Sequence, residues 1–324
     1  MEKNVRPEFP GFIGSRKTLN DRVAVILAGG DGSRLSSLTR MIAGDERPKQ
    51  FCPILDDRTL LEHTRRRVSL KIAPENTFFS LTKKHERFFK TPLWDARKSQ
   101  LIVQPENKGT APAILYSLMR LTNEDPNAAV AFFPSDHYFS DDESFMEHVE
   151  SAFRSVEVAP SAVVLLGIEP EKPETSYGWI EPAATLFGGE SKGISRVKRF
   201  WEKPSTASAR MLMKQGGLWN SFVMIGRVNA FLEMFRKHLP DMFRMFDASK
   251  NLLNRPTEES VMRSVYAWLK ETNFSSEVLE KATEDLMVMR VGDVGWCDWG
   301  EPHRVLGTLR GLGIKPEWAN ALAA

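Results

Sequence analysis

Cysteine is scarce: the 324-residue chain has only Cys52 and Cys297, and no paired spacing of the kind that builds a zinc site or a disulfide framework. A reducing, cytoplasmic setting is therefore expected. No apolar run approaches the ~20 residues that span a bilayer, and residues 1–20 lack the apolar core of a signal peptide, so no membrane partner is expected. Neither sign of charge dominates, since 44 Lys and Arg oppose 42 Asp and Glu for a net charge of +2. With no long basic segment, a dedicated nucleic-acid surface is disfavoured and small anions are the expected partners. Internal repeats and long low-complexity linkers are also missing, so no clean domain boundary is marked.

What is present starts with Val23 to Ala28, an apolar stretch without alternation, as suits a strand buried on both faces of a parallel sheet. Gly29-Gly30-Asp31-Gly32-Ser33-Arg34 follows, and then Arg47-Pro48-Lys49-Gln50-Phe51. Glycines let successive backbone N–H groups converge on phosphate oxygens, and Arg34 and Lys49 add a forked and a point-like cation. The loop reads as an anion cradle, although a plain glycine turn after a core strand remains open at this stage. It is not a P-loop, which needs Gly-Lys-Ser/Thr, nor a dinucleotide fingerprint, which needs glycine where Leu35 stands.

Further strands are expected at Leu101–Val103, Ala129–Phe133, Ala162–Gly167, Ser176–Ile180, Ile194–Phe200, Phe222–Gly226 and Met287–Val291. Helical patterns lie at Thr59–Leu70 and near Ser205 and Val228. Leu60, Leu61, Thr64 and Val68 would face inward in the first of these, leaving Arg65-Arg66-Arg67 as a solvated face. The pattern is an α/β chain with a mixed, mainly parallel central sheet flanked by helices. We divide it into an extension (1–20), a domain (21–313, with halves 21–168 and 169–313) and a tail (314–324).

Asp136, in Pro134-Ser135-Asp136-His137, stands just past an apolar strand, where open α/β sheets bind ligands. It is a Mg²⁺-ligand candidate, with a turn cap as the alternative. Asp298, in Gly295-Trp296-Cys297-Asp298, could share that metal, and Asp293 competes with it. Adjacent Ser135, Asp136 and His137 cannot form a catalytic triad by themselves. In Gln104-Pro105-Glu106-Asn107-Lys108-Gly109-Thr110, Gln104 could read a nucleobase edge, Gly109 admits close approach, and Thr110 is a plausible helix N-cap. Tyr177-Gly178-Trp179, Trp201-Glu202-Lys203 and Trp219-Asn220-Ser221 combine ring walls, hydroxyl-binding groups and a lysine, an outline of sugar-phosphate binding, although each could equally be core packing.

In this order, these motifs resemble the sugar-1-phosphate nucleotidyltransferase family, most closely its mannose-1-phosphate guanylyltransferase branch, over about Val23 to Leu309. The resemblance implies a Rossmann-like nucleotidyltransferase fold. It implies that Arg34 and Lys49 serve catalysis, that Leu27, Ala28, Gly29, Gly30, Gly32, Ser33, Gln104, Gly109, Thr110 and Ser135 bind the nucleotide, and that Gly178, Glu202, Lys203 and Asn220 hold the sugar phosphate. It implies Mg²⁺ on Asp136 and Asp298, and GTP plus mannose 1-phosphate giving GDP-mannose and pyrophosphate. Three departures bear on specificity: Gln104 stands where Glu is common, Phe222 where Gly usually follows Ser, and Ser275-Ser276 where Asp-Tyr is usual. Another nucleotide or sugar pair, or a non-catalytic nucleotide-sugar-binding role, is the alternative. The chain ends too soon after Leu309 for an isomerase-type barrel, so one activity is expected, in a possible homo-oligomer.

Overall fold

The computed structural model describes residues 22–183, 193–316 and 318. The extension and most of the tail lie outside the described residues. In chain order the elements are β1 (Arg22–Leu27), α1 (Ser36–Ala43), α2 (Leu60–Ser69), β2 (Thr77–Thr82), the short α3 (Glu86–Phe89), β3 (Leu101–Gln104), α4 (Thr110–Thr122), β4 (Ala129–Pro134) and α5 (Asp142–Val158). There follow β5 (Val163–Ile168), β6 (Gly178–Pro182), β7 (Ile194–Glu202), α6 (Thr206–Lys214), β8 (Leu218–Arg227), α7 (Val228–His238), α8 (Pro240–Ser249), α9 (Glu258–Trp268), β9 (Leu286–Val291) and α10 (Pro302–Gly311).

The sheet is mixed, as expected, and runs in the order β3-β2-β1-β4-β8-β5-β9-β7-β6. Parallel pairing joins β3, β2, β1 and β4, and recurs between β5 and β9. The antiparallel pairs fall around β8 and β7. Because β6 also pairs with β8, strands β8, β5, β9, β7 and β6 form a closed circuit, which protects edges that would otherwise be open. One apolar cluster lies on the α4, α7 and α9 side of the sheet, the other on the α2 and α5 side.

Local chemistry explains several boundaries. Thr59 caps α2 in a reciprocal capping box with Glu62. Leu60, Leu61, Thr64 and Val68 are buried as expected, but so is Arg67, at 4% exposure, which corrects the reading of Arg65–Arg67 as one solvated face. Arg67 points inward because Asp142 pairs with it and the Phe139 ring lies under its guanidinium. β2 has no counterpart among the expected strands. All six of its residues are buried although Thr77, Ser80 and Thr82 interrupt the apolar pattern.

Candidate active site

Register places the key loops on one edge. Leu27 aligns with Pro134 across β1 and β4, and Thr82 with Gln104 across β2 and β3, so Gly29, Gln104 and Ser135 emerge together at the carboxyl ends of parallel strands. Gln50 Nε2 donates to the Ala28 and Gly30 carbonyls at 3.1 and 2.7 Å, and Thr82 Oγ1 donates to the Gly29 carbonyl at 2.8 Å. With those carbonyls held back, the N–H groups of Gly29, Gly30, Asp31 and Gly32 donate to no acceptor among the described residues. Those amides are thus left without protein acceptors, as the anion cradle expected from the sequence requires. Gly32 takes φ +61°, and a Cβ there would sit 3.1 Å from the backbone nitrogen of Lys49. A Cβ on Gly29 would lie 2.8 Å from Gln104 Nε2.

Asp31 fixes the tip of the loop. It accepts from Asn107 Nδ2 at 2.9 Å and pairs with His85 at 3.1 Å and Lys84 at 3.5 Å.

Lys49, 7% exposed, converges with both carboxylate segments. Its ammonium donates to the Asp298 and Trp299 carbonyls at 2.6 and 3.0 Å and stands 3.3 Å from Asp136 Oδ2. Asp298 Oδ1 accepts from Tyr177 OH at 3.0 Å, Arg304 at 2.8 Å and the Gly300 N–H at 2.9 Å. Burial opposes its ionisation, but His137, the Gly300 N–H, Lys49 and Arg304 together hold its carboxyl below the usual range. Burial pushes His137 down to about 4, and its Nδ1 accepts from Trp296 Nε1. Arg34 is mostly exposed, 3.4 Å from Glu301, and its guanidinium flanks Gly300 beside Asp298. Burial pushes the thiols of Cys52 and Cys297 up, Cys52 to about 12, so neither is an activated nucleophile.

Across the sheet, the space above Gly178 is bounded by Phe200, Glu202 and Asn220. The Asn220 side chain accepts the Phe222 N–H at 3.0 Å, within an irregularity of β8 where Phe222 takes φ +59°. Lys203, Asp293 and Trp299 also adopt left-handed backbone conformations. Such strain is retained where surrounding structure over-determines it, commonly at ligand sites.

A family model described as nucleotidyl transferase matches residues 23–308. The chain belongs to the nucleotidyl transferase family. Alginate biosynthesis protein AlgA of Pseudomonas syringae pv. tomato is 30% identical over 286 residues, covering 86% of this chain and 56% of that protein. Mannose-1-phosphate guanylyltransferase 2 of Escherichia coli O157:H7 is 30% identical over 296 residues, covering 86% and 58%. The chain thus spans a little over half the length of these relatives. A solved structure described as a mannose-1-phosphate geranyltransferase from Thermus thermophilus is 32% identical with a TM-score of 0.74, covering 89% of this chain and 79% of that one. UDP-glucose pyrophosphorylase complexed with UDP-glucose, at 14% identity and a TM-score of 0.55, covers 90% and 98% and shares the fold.

Within this nucleotidyl transferase fold, several expected roles are altered. Gln104 is 2% exposed; Tyr266 OH donates to its carbonyl at 3.1 Å, and its NH₂ faces Ser80 Oγ and the Leu81 carbonyl at 3.2 Å each. Its amide is thus buried and engaged by Tyr266, Ser80 and Leu81 beside Gly29. Thr110 is the first residue of α4, not its cap; the cap position is Gly109 at φ +88°, and Thr110 Oγ1 accepts the Phe274 N–H at 2.8 Å. The rings expected as sugar walls are largely core: Tyr177, Trp179 and Trp219 are buried, with Tyr177 and Trp219 packed on Trp296. Ser135 is 1% exposed beneath the loop, where its N–H donates to the Leu27 carbonyl. Asp293 is exposed and enters none of the contacts around Asp298.

Gln50, quoted in the sequence motif but given no role there, fixes the loop carbonyls, and Arg304, 8% exposed and absent from any expected motif, bridges Asp298 and Glu174 and lies over the Tyr177 ring. An Arg six residues after a candidate carboxylate was the available signal. No group of three or more His, Cys, Asp or Glu side chains converges among the described residues. A full protein cage is therefore missing, but Mg²⁺ needs only one or two carboxylates when phosphate oxygens complete its shell. Asp136 and the Asp298 Oδ2 atom, which enters no hydrogen bond among the described residues, have the hard-oxygen chemistry that fits it.

Proposed function

We propose that the protein transfers a nucleoside monophosphate from a nucleoside triphosphate to a sugar 1-phosphate, with GTP and mannose 1-phosphate as the pair, releasing GDP-mannose and pyrophosphate. The observation that carries this reading is the meeting of Lys49 with Asp136 and the Asp298 segment beside an amide-lined glycine loop. The names of the relatives favour guanosine and mannose as the specific pair.

In this mechanism the loop amides of Gly29 to Gly32 hold the triphosphate, and Arg34 and Lys49 offset charge as it moves toward the leaving pyrophosphate. Glu202, Lys203 and Asn220 hold the sugar phosphate, and Gly178 leaves room for it. A phosphate oxygen of the sugar phosphate attacks the α-phosphorus in line, forming a new P–O bond as the bond to the β-phosphate oxygen breaks. No side-chain nucleophile takes part, so positioning and preorganised charge supply the catalysis. Asp136 and Asp298 would hold Mg²⁺, which neutralises phosphate charge when bound.

The test is pyrophosphate release across a matrix of GTP, ATP, UTP and dTTP against mannose, glucose and N-acetylglucosamine 1-phosphates. GTP with mannose 1-phosphate should give the highest kcat/KM. A preference for UTP or dTTP would overturn the substrate assignment, and nucleotide binding without pyrophosphate release from any pair would overturn the reaction.

A further inference from the structure

α2 carries three consecutive arginines, and only Arg67 turns toward the candidate active site, where it donates to the His137 carbonyl at 3.5 Å. Arg65 and Arg66 face instead an open cleft of about 760 Å³ between α2 and the start of β2, which Arg58 and Arg97 complete. None of its lining residues belongs to the candidate active site. The volume is in the range of small-molecule sites.

Charge in this cleft is not self-compensated. Arg65 Nη2 donates to both carboxylate oxygens of Asp95 at 2.9 Å, and the guanidinium lies over the Phe79 ring, 5.5 Å from its centroid. Glu62 is committed to the α2 cap through Thr59. The guanidinium groups of Arg58, Arg66 and Arg97 form no ion pair among the described residues, and Glu75 is the one lining carboxylate without a partner there. Three guanidinium forks around one concavity suit a phosphate dianion, whose oxygens accept paired N–H donors.

We propose that this cleft is a second anion site, taking a phosphate group either free or esterified to a small polar molecule, with Arg58, Arg66 and Arg97 as its donors. Arg65 is the prepositioned wall, and Glu75 is placed to accept hydroxyl hydrogen bonds from an ester. The site stands on its own residues and does not depend on the reaction proposed above.

The test is isothermal titration calorimetry of the full chain with inorganic phosphate and with glucose 6-phosphate. Three proteins are compared: wild type, Arg66→Glu/Arg97→Glu, and Arg34→Ala/Lys49→Ala. Arg66 and Arg97 are exposed, and circular dichroism with a thermal melt checks that the first double variant stays folded. At least one probe should bind wild type and the Arg34→Ala/Lys49→Ala variant alike, and weaken at least tenfold in Arg66→Glu/Arg97→Glu. Tighter binding of glucose 6-phosphate supports an ester as the source, and tighter binding of inorganic phosphate supports the free ion. No millimolar binding to wild type, or binding lost with Arg34 and Lys49 but kept with Arg66→Glu/Arg97→Glu, would overturn the second site.

Discussion

At the scale of single residues, Arg304 shows how a side chain outside any expected motif shapes the site. Its guanidinium holds Asp298 at 2.8 Å and Glu174 at 2.9 Å, and all three side chains are at most 15% exposed. Removing one partner of a buried charge cluster leaves the others uncompensated, which typically costs about 3–5 kcal/mol. Arg304→Ala should therefore lower unfolding stability by about that amount in urea melts, with part regained when Glu174→Gln is added. The strings that carry Arg34, Asp136 and Asp298 stood out in the sequence because each follows a strand or a glycine turn, and Lys49 because it sits in Arg47-Pro48-Lys49-Gln50-Phe51; the structure brings Lys49 beside Asp136 and the Asp298 segment. The orientation of Gln104 was not legible, because the partner that turns it inward, Tyr266, lies 162 positions away. Sequence showed a polar residue at the right strand end but not which way its amide faces.

Among the elements, β8 shows why spacing alone misses backbone strain. Its apolar string reads as ordinary strand, yet Phe222 sits at φ +59° where Asn220 and Ser221 fold back onto the backbone, Ser221 Oγ accepting the Val223 N–H. A side chain at positive φ carries a steric cost that glycine avoids. Phe222→Gly should accordingly be about 1 kcal/mol more stable than Phe222→Ala by chemical denaturation, a comparison in which neither variant retains the ring. A regular strand would give the opposite order, since glycine there is the weaker residue. β2 escaped the strand pattern for a different reason. Its Thr and Ser residues are buried by neighbours on both sides, and Ser80 provides the carbonyl that accepts the Ala28 N–H at 2.8 Å at the base of the loop.

The whole molecule joins a parallel half, readable from its apolar runs, to a closed circuit of strands that depends on pairing between distant segments. The two halves meet at β8, which pairs with β4 on one side and β5 on the other. Burying so much chain has a titration consequence. Burial pushes His137 and His148 below the ordinary histidine range, and pushes His85 down against the attraction of Asp31. The unfolded chain then binds more protons than the folded one as pH falls below ~6.5, so stability present above that pH is lost on acidification. Urea midpoints should fall between about pH 7.5 and 5.5, and His148→Gln should reduce the fall; an unchanged midpoint would contradict the burial assigned to these rings. Among the described residues no helix is long and apolar enough to cross a membrane.

The central claim is that the amide-lined loop, with Arg34 and Lys49, is a nucleotidyl-transfer site, and Arg34→Ala tests it most directly. The Arg34 side chain is 58% exposed and makes one ion pair among the described residues, at 3.4 Å, so its loss should leave the thermal melt unchanged. Steady-state pyrophosphate release from GTP and mannose 1-phosphate with Mg²⁺ should fall about a hundredfold or more, the scale of losing one preorganised charge-stabilising contact. Near-normal release by the folded Arg34→Ala protein would contradict the account.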